Sequence, residues 1–122
     1  MTALIVFAHG SKVEPANQAI HAIAADLAAK SGYPTEAAFL EIAEPDLPHA
    51  VDGLISRGAT RIVVLPYFLA PGRHSEIDLP RIIQHLRGIH KEVRIEAAAN
   101  LDGHPALVGI LQDRAAAVLE EL

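Results

Sequence analysis

Four strand-like runs alternate one for one with four stretches of helical periodicity, and no other feature restricts the fold of this chain as strongly. The first strand is read over Ala3 to Ala8, which is apolar throughout. A helix follows, with Ala16, Ala19, Ile20, Ile23, Ala24, Leu27 and Ala28 on one face. Pro15 suits its first turn and Gly32 its stop. The second strand is read over Thr35 to Glu41. The helix after it has Pro45 near its start, carries Leu47, Ala50, Val51, Leu54 and Ile55, and ends by Gly58. Arg61 to Tyr67 forms the third strand, and Ile77, Ile82, Ile83 and Leu86 mark the third helix. Glu92 to Ala98 forms the fourth strand. The last helix begins at Pro105 and aligns Leu107, Val108, Leu111, Ala115, Val118 and Leu119.

Strict alternation with short connections predicts a parallel sheet with helices on both faces. The first and third strands are apolar throughout and read as central. The second and fourth carry charges and read as edges. Right-handed crossovers then give the strand order 2-1-3-4. The winding reverses between strands 1 and 3, and open sheets of this kind bind ligands there, beyond the carboxyl ends of the strands. The 122 residues are read as one domain spanning 1–122.

That topology sorts the seven histidines. His21, His49 and His85 lie on helices off the apolar stripes and read as solvated. His90 lies at the opposite end of the sheet. His9 directly follows strand 1 and His74 follows strand 3, so the two flank the expected crevice. Each also has a plainer role open to it: His9 as a turn residue before Gly10, with Ser11 capping the helix, and His74 as part of the Pro71-Gly72 turn. His104 follows an edge strand where a helix cap belongs, and its place in the site stays open. Glu41 ends strand 2 at the same sheet edge.

Composition decides what such a site can hold. The chain has no cysteine, which excludes disulfides and thiolate metal sites. Two imidazoles and a carboxylate suit Fe²⁺, Co²⁺, Ni²⁺ or Zn²⁺ better than Mg²⁺ or Ca²⁺. A formal net charge of −5 gives no electrostatic reason to bind nucleic acid. No apolar run approaches the ~20 residues that span a bilayer. Met1 to Ala8 lacks the basic region of a signal peptide, so a cytoplasmic location is expected.

The segments His9-Gly10-Ser11, Phe39-Leu40-Glu41 and Leu65-Pro66-Tyr67-Phe68-Leu69-Ala70-Pro71-Gly72-Arg73-His74, with Asp78-Leu79-Pro80 after them, resemble the small class II sirohydrochlorin chelatases of the CbiX and SirB type. His104-Pro105-Ala106-Leu107 is similar too, so the likeness runs nearly end to end. The resemblance implies a chelatase-like, flavodoxin-like fold and insertion of Co²⁺, Fe²⁺ or Ni²⁺ into a sirohydrochlorin-type tetrapyrrole, on the way to sirohaem or cobalamin. It makes the metal a substrate and calls for no organic cofactor. It carries the two active-site histidines onto His9 and His74, as metal ligands and proton acceptors, and a carboxylate onto Glu41. Leu79 stands where the family usually has Ile, a swap that conserves volume. Ser11, Lys12 and Arg73 are the expected contacts to the substrate's carboxylates. Larger members of the family hold two such lobes facing a cleft, so a single lobe is expected to work as a homodimer. The alternative is a binding module of the same fold that holds metal or tetrapyrrole without turnover. A flavin- or phosphate-binding domain is disfavoured, because strand 1 is followed by no Gly-rich phosphate motif.

Overall fold

The computed structural model describes residues 1–119. Four parallel strands form one sheet: β1 (Thr2–Ala8), β2 (Thr35–Phe39), β3 (Arg61–Pro66) and β4 (Arg94–Ala97), in the order β2-β1-β3-β4. The helices are α1 (Glu14–Ser31), α2 (Leu47–Ser56), α3 (Leu79–Ile89) and α4 (Ala106–Leu119), with a π-helical turn at His74–Asp78 leading into α3. The expected order and central pair are therefore present. β1 pairs with β3 from Thr2↔Arg61 to Phe7↔Pro66. Among the described residues, no helix is long and apolar enough to cross a membrane.

Alternation along β1 divides the core into two layers. Ala3, Ile5 and Phe7 point toward α2 and α3 and join Ile62, Val64, Leu54, Ile83 and Ile95 in the larger cluster. Val6 and Ala8 point the other way and meet Ile20 and Ala24 of α1, with Ala37 and Phe39 of β2. Fully burying a Leu, Ile or Phe contributes about 1.5–3 kcal/mol relative to exposure. Phe7, Phe39, Ile5, Leu54 and Ile62 are all buried, so this central pair of layers anchors the fold.

Helix ends follow the signals in the sequence. Pro15 lies in the first turn of α1, and Gly32 closes the helix in the left-handed conformation with its N–H bonded to the Ala28 carbonyl. Asp46 caps α2 by accepting the His49 N–H at 2.9 Å.

Four expectations need correction. Ile77 is exposed, and Leu79 takes the buried place instead. The π turn explains this: the Leu79 N–H bonds the His74 carbonyl five residues back, which shifts the phase of the apolar stripe. His21 is not a solvated residue, because its ring packs on Phe39 with centroids 5.4 Å apart. The third is α4, whose apolar residues match the expected pattern, yet none of those described is buried. Fourth, Ser11 does not cap α1: the N-cap position is Val13, without a side-chain cap, and the Ser11 hydroxyl accepts the Val13 N–H instead.

Candidate functional site

The site is built where β1 and β3 end side by side. Beyond the last residue of β1, the ladder to β2 continues by two bonds: Leu40 N–H to the Ala8 carbonyl (2.9 Å) and Glu41 N–H to the His9 carbonyl (3.1 Å). These bonds hold Glu41 opposite His9. Its carboxylate Oε1 lies 3.0 Å from His9 Nε2. Gly10 lets the two loops close. Its φ is +98°, and a Cβ there would lie 1.9 Å from the Glu41 carbonyl oxygen. Ile42 adopts φ 72° and the Ala43 N–H returns to the Glu41 carbonyl at 2.8 Å. That is a γ-turn with a β-branched residue in a conformation it rarely takes, so the turn that presents Glu41 holds backbone strain.

His74 reaches the same spot from the far side of β3. The loop leaving β3 is anchored by Asn100, whose Oδ1 accepts the Phe68 N–H at 2.9 Å. The chain then turns at Gly72, where the Ser75 hydroxyl lies 3.2 Å from both the Gly72 N–H and the Gly72 carbonyl. His74 opens the π turn, a local widening that is frequent at functional sites. Its ring centroid lies 4.6 Å from that of His9, with the planes at 51°. The two rings are about equally exposed, at 39% and 42%.

Partners assign the ring nitrogens. His74 Nδ1 lies 2.9 Å from Asp78 Oδ2, so Nδ1 carries the hydrogen and Nε2 is left with its lone pair. His9 Nδ1 lies 3.0 Å from the Gly10 carbonyl oxygen, which only accepts. The His9 lone pair is then also on Nε2, facing the Glu41 carboxylate. A lone pair and a carboxylate share a 3.0 Å contact only with a proton or a cation between them. Two ligand atoms each about 2.1 Å from one metal and at right angles are about 3 Å apart. The His9–Glu41 pair thus has the spacing of either occupant. Among the described residues, no group of three His, Asp or Glu side chains converges as a ready metal cage.

The remaining expected contacts are less engaged. Lys12 is exposed. Arg73 is 76% exposed, with Nε 4.0 Å from Asp78. Two open hollows border the site. One, of about 510 Å³, includes Glu41, Glu44 and Asp46. The other, of about 380 Å³, includes Pro71, Ser75 and Asn100. Neither is lined by His9 or His74, whose rings are partly exposed beside them.

The other histidines are accounted for elsewhere. His104 Nδ1 accepts the Ala106 N–H at 3.0 Å, the cap role open to it in the sequence. His90 pairs with Asp52 at 3.1 Å. His49 lies 2.6 Å from Asp46, whose hydrogen bond and charge raise it above the ordinary imidazole value. Burial pushes the Asp46 carboxyl up, but the bonds from His49 outweigh it and hold the group below its usual range.

Two supporting residues were missed. Asp78 orients His74, and the His-x-x-x-Asp spacing on a helical turn was the available signal. Asn17 is the one buried polar residue among those described. It accepts the Ser11 N–H at 2.9 Å and donates to the Ser11 carbonyl at 2.8 Å, which clamps the loop after His9. An amide among the apolar positions of a helix was its signal. Replacing Asp78 by Asn keeps the shape but exchanges the charged acceptor for His74 Nδ1–H for a neutral amide, which can also turn its NH2 toward the ring. Metal affinity, read by titration with Co²⁺, should fall about 10- to 100-fold with unfolding nearly unchanged.

Comparison with known proteins bears on the fold and the family. The cobalt complex of the sirohydrochlorin chelatase SirB from Bacillus subtilis subspecies spizizenii superposes with a TM-score of 0.87 at 26% identity, covering 93% of this chain and 49% of that one. The chloroplastic sirohydrochlorin ferrochelatase of Arabidopsis thaliana is 32% identical over 112 residues, 91% of this chain and 50% of the relative. The sirohydrochlorin cobaltochelatase of Sulfolobus acidocaldarius is 32% identical over 116 residues, 94% of this chain and 90% of the relative. The chain spans 50% to 64% of the length of the first three curated relatives it matches. The CbiX family model matches residues 3–118, nearly the whole chain, with His9, Glu41 and His74 all inside the match. By that match and by its fold, the chain belongs to the CbiX family.

Proposed function

We propose that this protein is a sirohydrochlorin chelatase that inserts Co²⁺, Fe²⁺ or Ni²⁺ into a tetrapyrrole for cobalamin or sirohaem synthesis. The observation that carries the reading is the meeting of His9, Glu41 and His74 at the reversal point of the sheet. Two imidazole lone pairs and a carboxylate offer a borderline metal enough ligands to replace part of its water. They do not enclose it, which suits a metal that must be handed on. As the metal enters the ring, two pyrrole N–H protons leave. His9 Nε2 and Glu41 are placed as their acceptors, and His74 Nε2 as the ligand that releases the ion. Asp78 keeps His74 in the tautomer this needs.

Ser11, Lys12 and Arg73 are assigned to the substrate. A ring rich in carboxylates meets an acidic protein here, so recognition falls to local cations. Ser11 contributes through its clamped backbone position, since its hydroxyl accepts the Val13 N–H at 3.0 Å. Replacing Lys12 or Arg73 by Ala should weaken tetrapyrrole binding by several-fold and leave Co²⁺ binding alone. The difference should shrink at high salt, because exposed charges are screened over about 10 Å at 0.1 M. Equal binding by both variants, followed by absorbance titration, would remove them from the site.

The reading treats residues 1–122 as one domain that works in the cytoplasm as a homodimer. Its His rings are partly exposed, and a second lobe facing them would enclose the macrocycle. The test is insertion of each metal into sirohydrochlorin, followed by absorbance. Turnover with at least one metal supports the enzyme. Tight binding of metal and ring without turnover would make the protein a carrier instead.

A further inference from the structure

Among the described residues, Ile42 is the one non-glycine residue with a positive φ, at 72°. A left-handed backbone crowds any Cβ, and the branched Cβ of isoleucine more than most. Glycine or asparagine would hold the same turn with less strain.

Nothing in the free chain offsets that cost. The turn's hydrogen bond, from the Ala43 N–H to the Glu41 carbonyl at 2.8 Å, is made by backbone and needs no isoleucine between. The base of the loop is closed by the Phe39 N–H on the Pro45 carbonyl at 2.9 Å. Apolar anchoring of the loop belongs to its other members: Leu40 packs against the larger core cluster and Ala43 against the smaller. Ile42 itself is 56% exposed. An exposed apolar side chain on a strained backbone adds no stability to the free fold. Such outliers collect where ligands are held.

The surroundings define the ligand. Ile42 borders the hollow of about 510 Å³ that also includes Glu41, Glu44 and Asp46. These acids repel a carboxylate, so the acidic rim of a tetrapyrrole is unwelcome there. The uncharged ring is not. Ile42 also directly follows Glu41, whose carboxylate lies 3.0 Å from His9 Nε2. A ring that takes a metal from that pair has its face beside the next residue.

We propose that Ile42 binds the macrocycle, with its side chain against the apolar ring of the tetrapyrrole, and so sets affinity for the ring without holding the metal. Strain carried by the free protein is then offset when the ring and the isoleucine leave water together. The inference rests on the chelatase reading and adds a substrate-contacting residue to it.

Three variants of the whole chain separate side chain from backbone. Ile42→Asn keeps most of the bulk, suits a left-handed backbone and removes the apolar surface. Ile42→Gly removes the side chain and the strain together. Ile42→Leu keeps the apolar surface. Each is titrated with sirohydrochlorin alone and with Co²⁺ alone, and thermal midpoint, insertion rate and mass by light scattering are measured. Ile42→Asn should raise the thermal midpoint by about 4 °C. Ile42→Gly should raise it less, because glycine also frees the unfolded chain. Both should weaken sirohydrochlorin binding about 10-fold and raise KM to match, with kcat nearly unchanged. Ile42→Leu should bind the ring within about 3-fold of wild type. Co²⁺ binding should be the same in all. Equal ring affinity in wild type, Ile42→Asn and Ile42→Gly overturns the inference and leaves the chelatase reading standing. Loss of Co²⁺ binding in step with ring binding overturns it too, since Ile42 would then serve only to place Glu41. Lower midpoints in both Ile42→Asn and Ile42→Gly would make Ile42 a support of the fold, and a lower mass would mean that a partner chain covers it; either result overturns the inference. A wild type that binds no sirohydrochlorin overturns both this inference and the chelatase reading.

Discussion

His9→Ala and His74→Ala should each slow metal insertion about 100-fold or more, while leaving the fold intact. Each substitution removes an imidazole from the end of the sheet where His9 Nε2 lies 3.0 Å from the Glu41 carboxylate and the two rings lie 4.6 Å apart. Neither ring supports the two apolar layers, and substitution at such partly exposed positions ordinarily costs within about 0.5 kcal/mol. The losses should be far from additive in the double variant, because the two rings act on one ion. His85→Ala is the matched control, since His85 is exposed on α3. His21 is unsuited to that purpose because its ring packs on Phe39. Insertion rates and unfolding midpoints for the three variants decide the matter. Rates equal to the control would sink the mechanism. Activity and stability lost together would make the two residues structural.

Gly10→Ala is expected to be the most damaging small substitution in the chain. The new methyl carbon would lie 1.9 Å from the Glu41 carbonyl oxygen and 3.1 Å from its carbon, so one of the two loops has to move. The positive φ adds a backbone cost of about 1–2 kcal/mol. Forcing an atom into packed surroundings adds about 1–3 kcal/mol. For a chain of this size the sum should lower the thermal midpoint by roughly 8 °C or more. Gly58→Ala separates the two contributions. Its φ is +100°, nearly that of Gly10, but nothing lies within 4 Å of the added carbon. It should show the backbone cost alone and full activity. Gly10→Ala should also lose insertion, because the displaced loop carries Glu41 away from His9. Equal midpoints for the two variants would refute the close approach, and with it the role given to Gly10 in setting the His9–Glu41 pair.

Much of the site was legible because a parallel sheet confines it. Once β1 and β3 are adjacent, whatever follows each must share one end of the sheet. His9 and His74 were selected on that ground, while His90 was set aside. Glu41 was placed with them for the same reason, although β2 itself stops at Phe39 and only two further ladder bonds carry Glu41 into position. Asp78 is named in the sequence only within the Asp78-Leu79-Pro80 likeness and without a role, because that role depends on the π turn. That turn lies between the Gly72–Ser75 bonds and the buried Leu79, and no periodicity encodes it.

The sequence by itself determined the alternation, the strand order, the central and edge strands, and the end of the sheet where chemistry sits. These follow from residue polarity read at periods of 2 and 3.6 and from the handedness of the chain, all of which are local. Only the tertiary structure decided which nitrogen of each histidine is bare, that Gly10 lies under the Glu41 carbonyl, and that α4 stands off its own sheet. The ring nitrogens are set by contacts to residues one and four positions away, and the Gly10–Glu41 approach joins distant residues, all at distances of a few ångströms that no periodicity encodes. The apolar stripe of α4 reads the same whether its partner is its own sheet or another molecule's. Polarity states that a face tends to be covered, and it does not state by what.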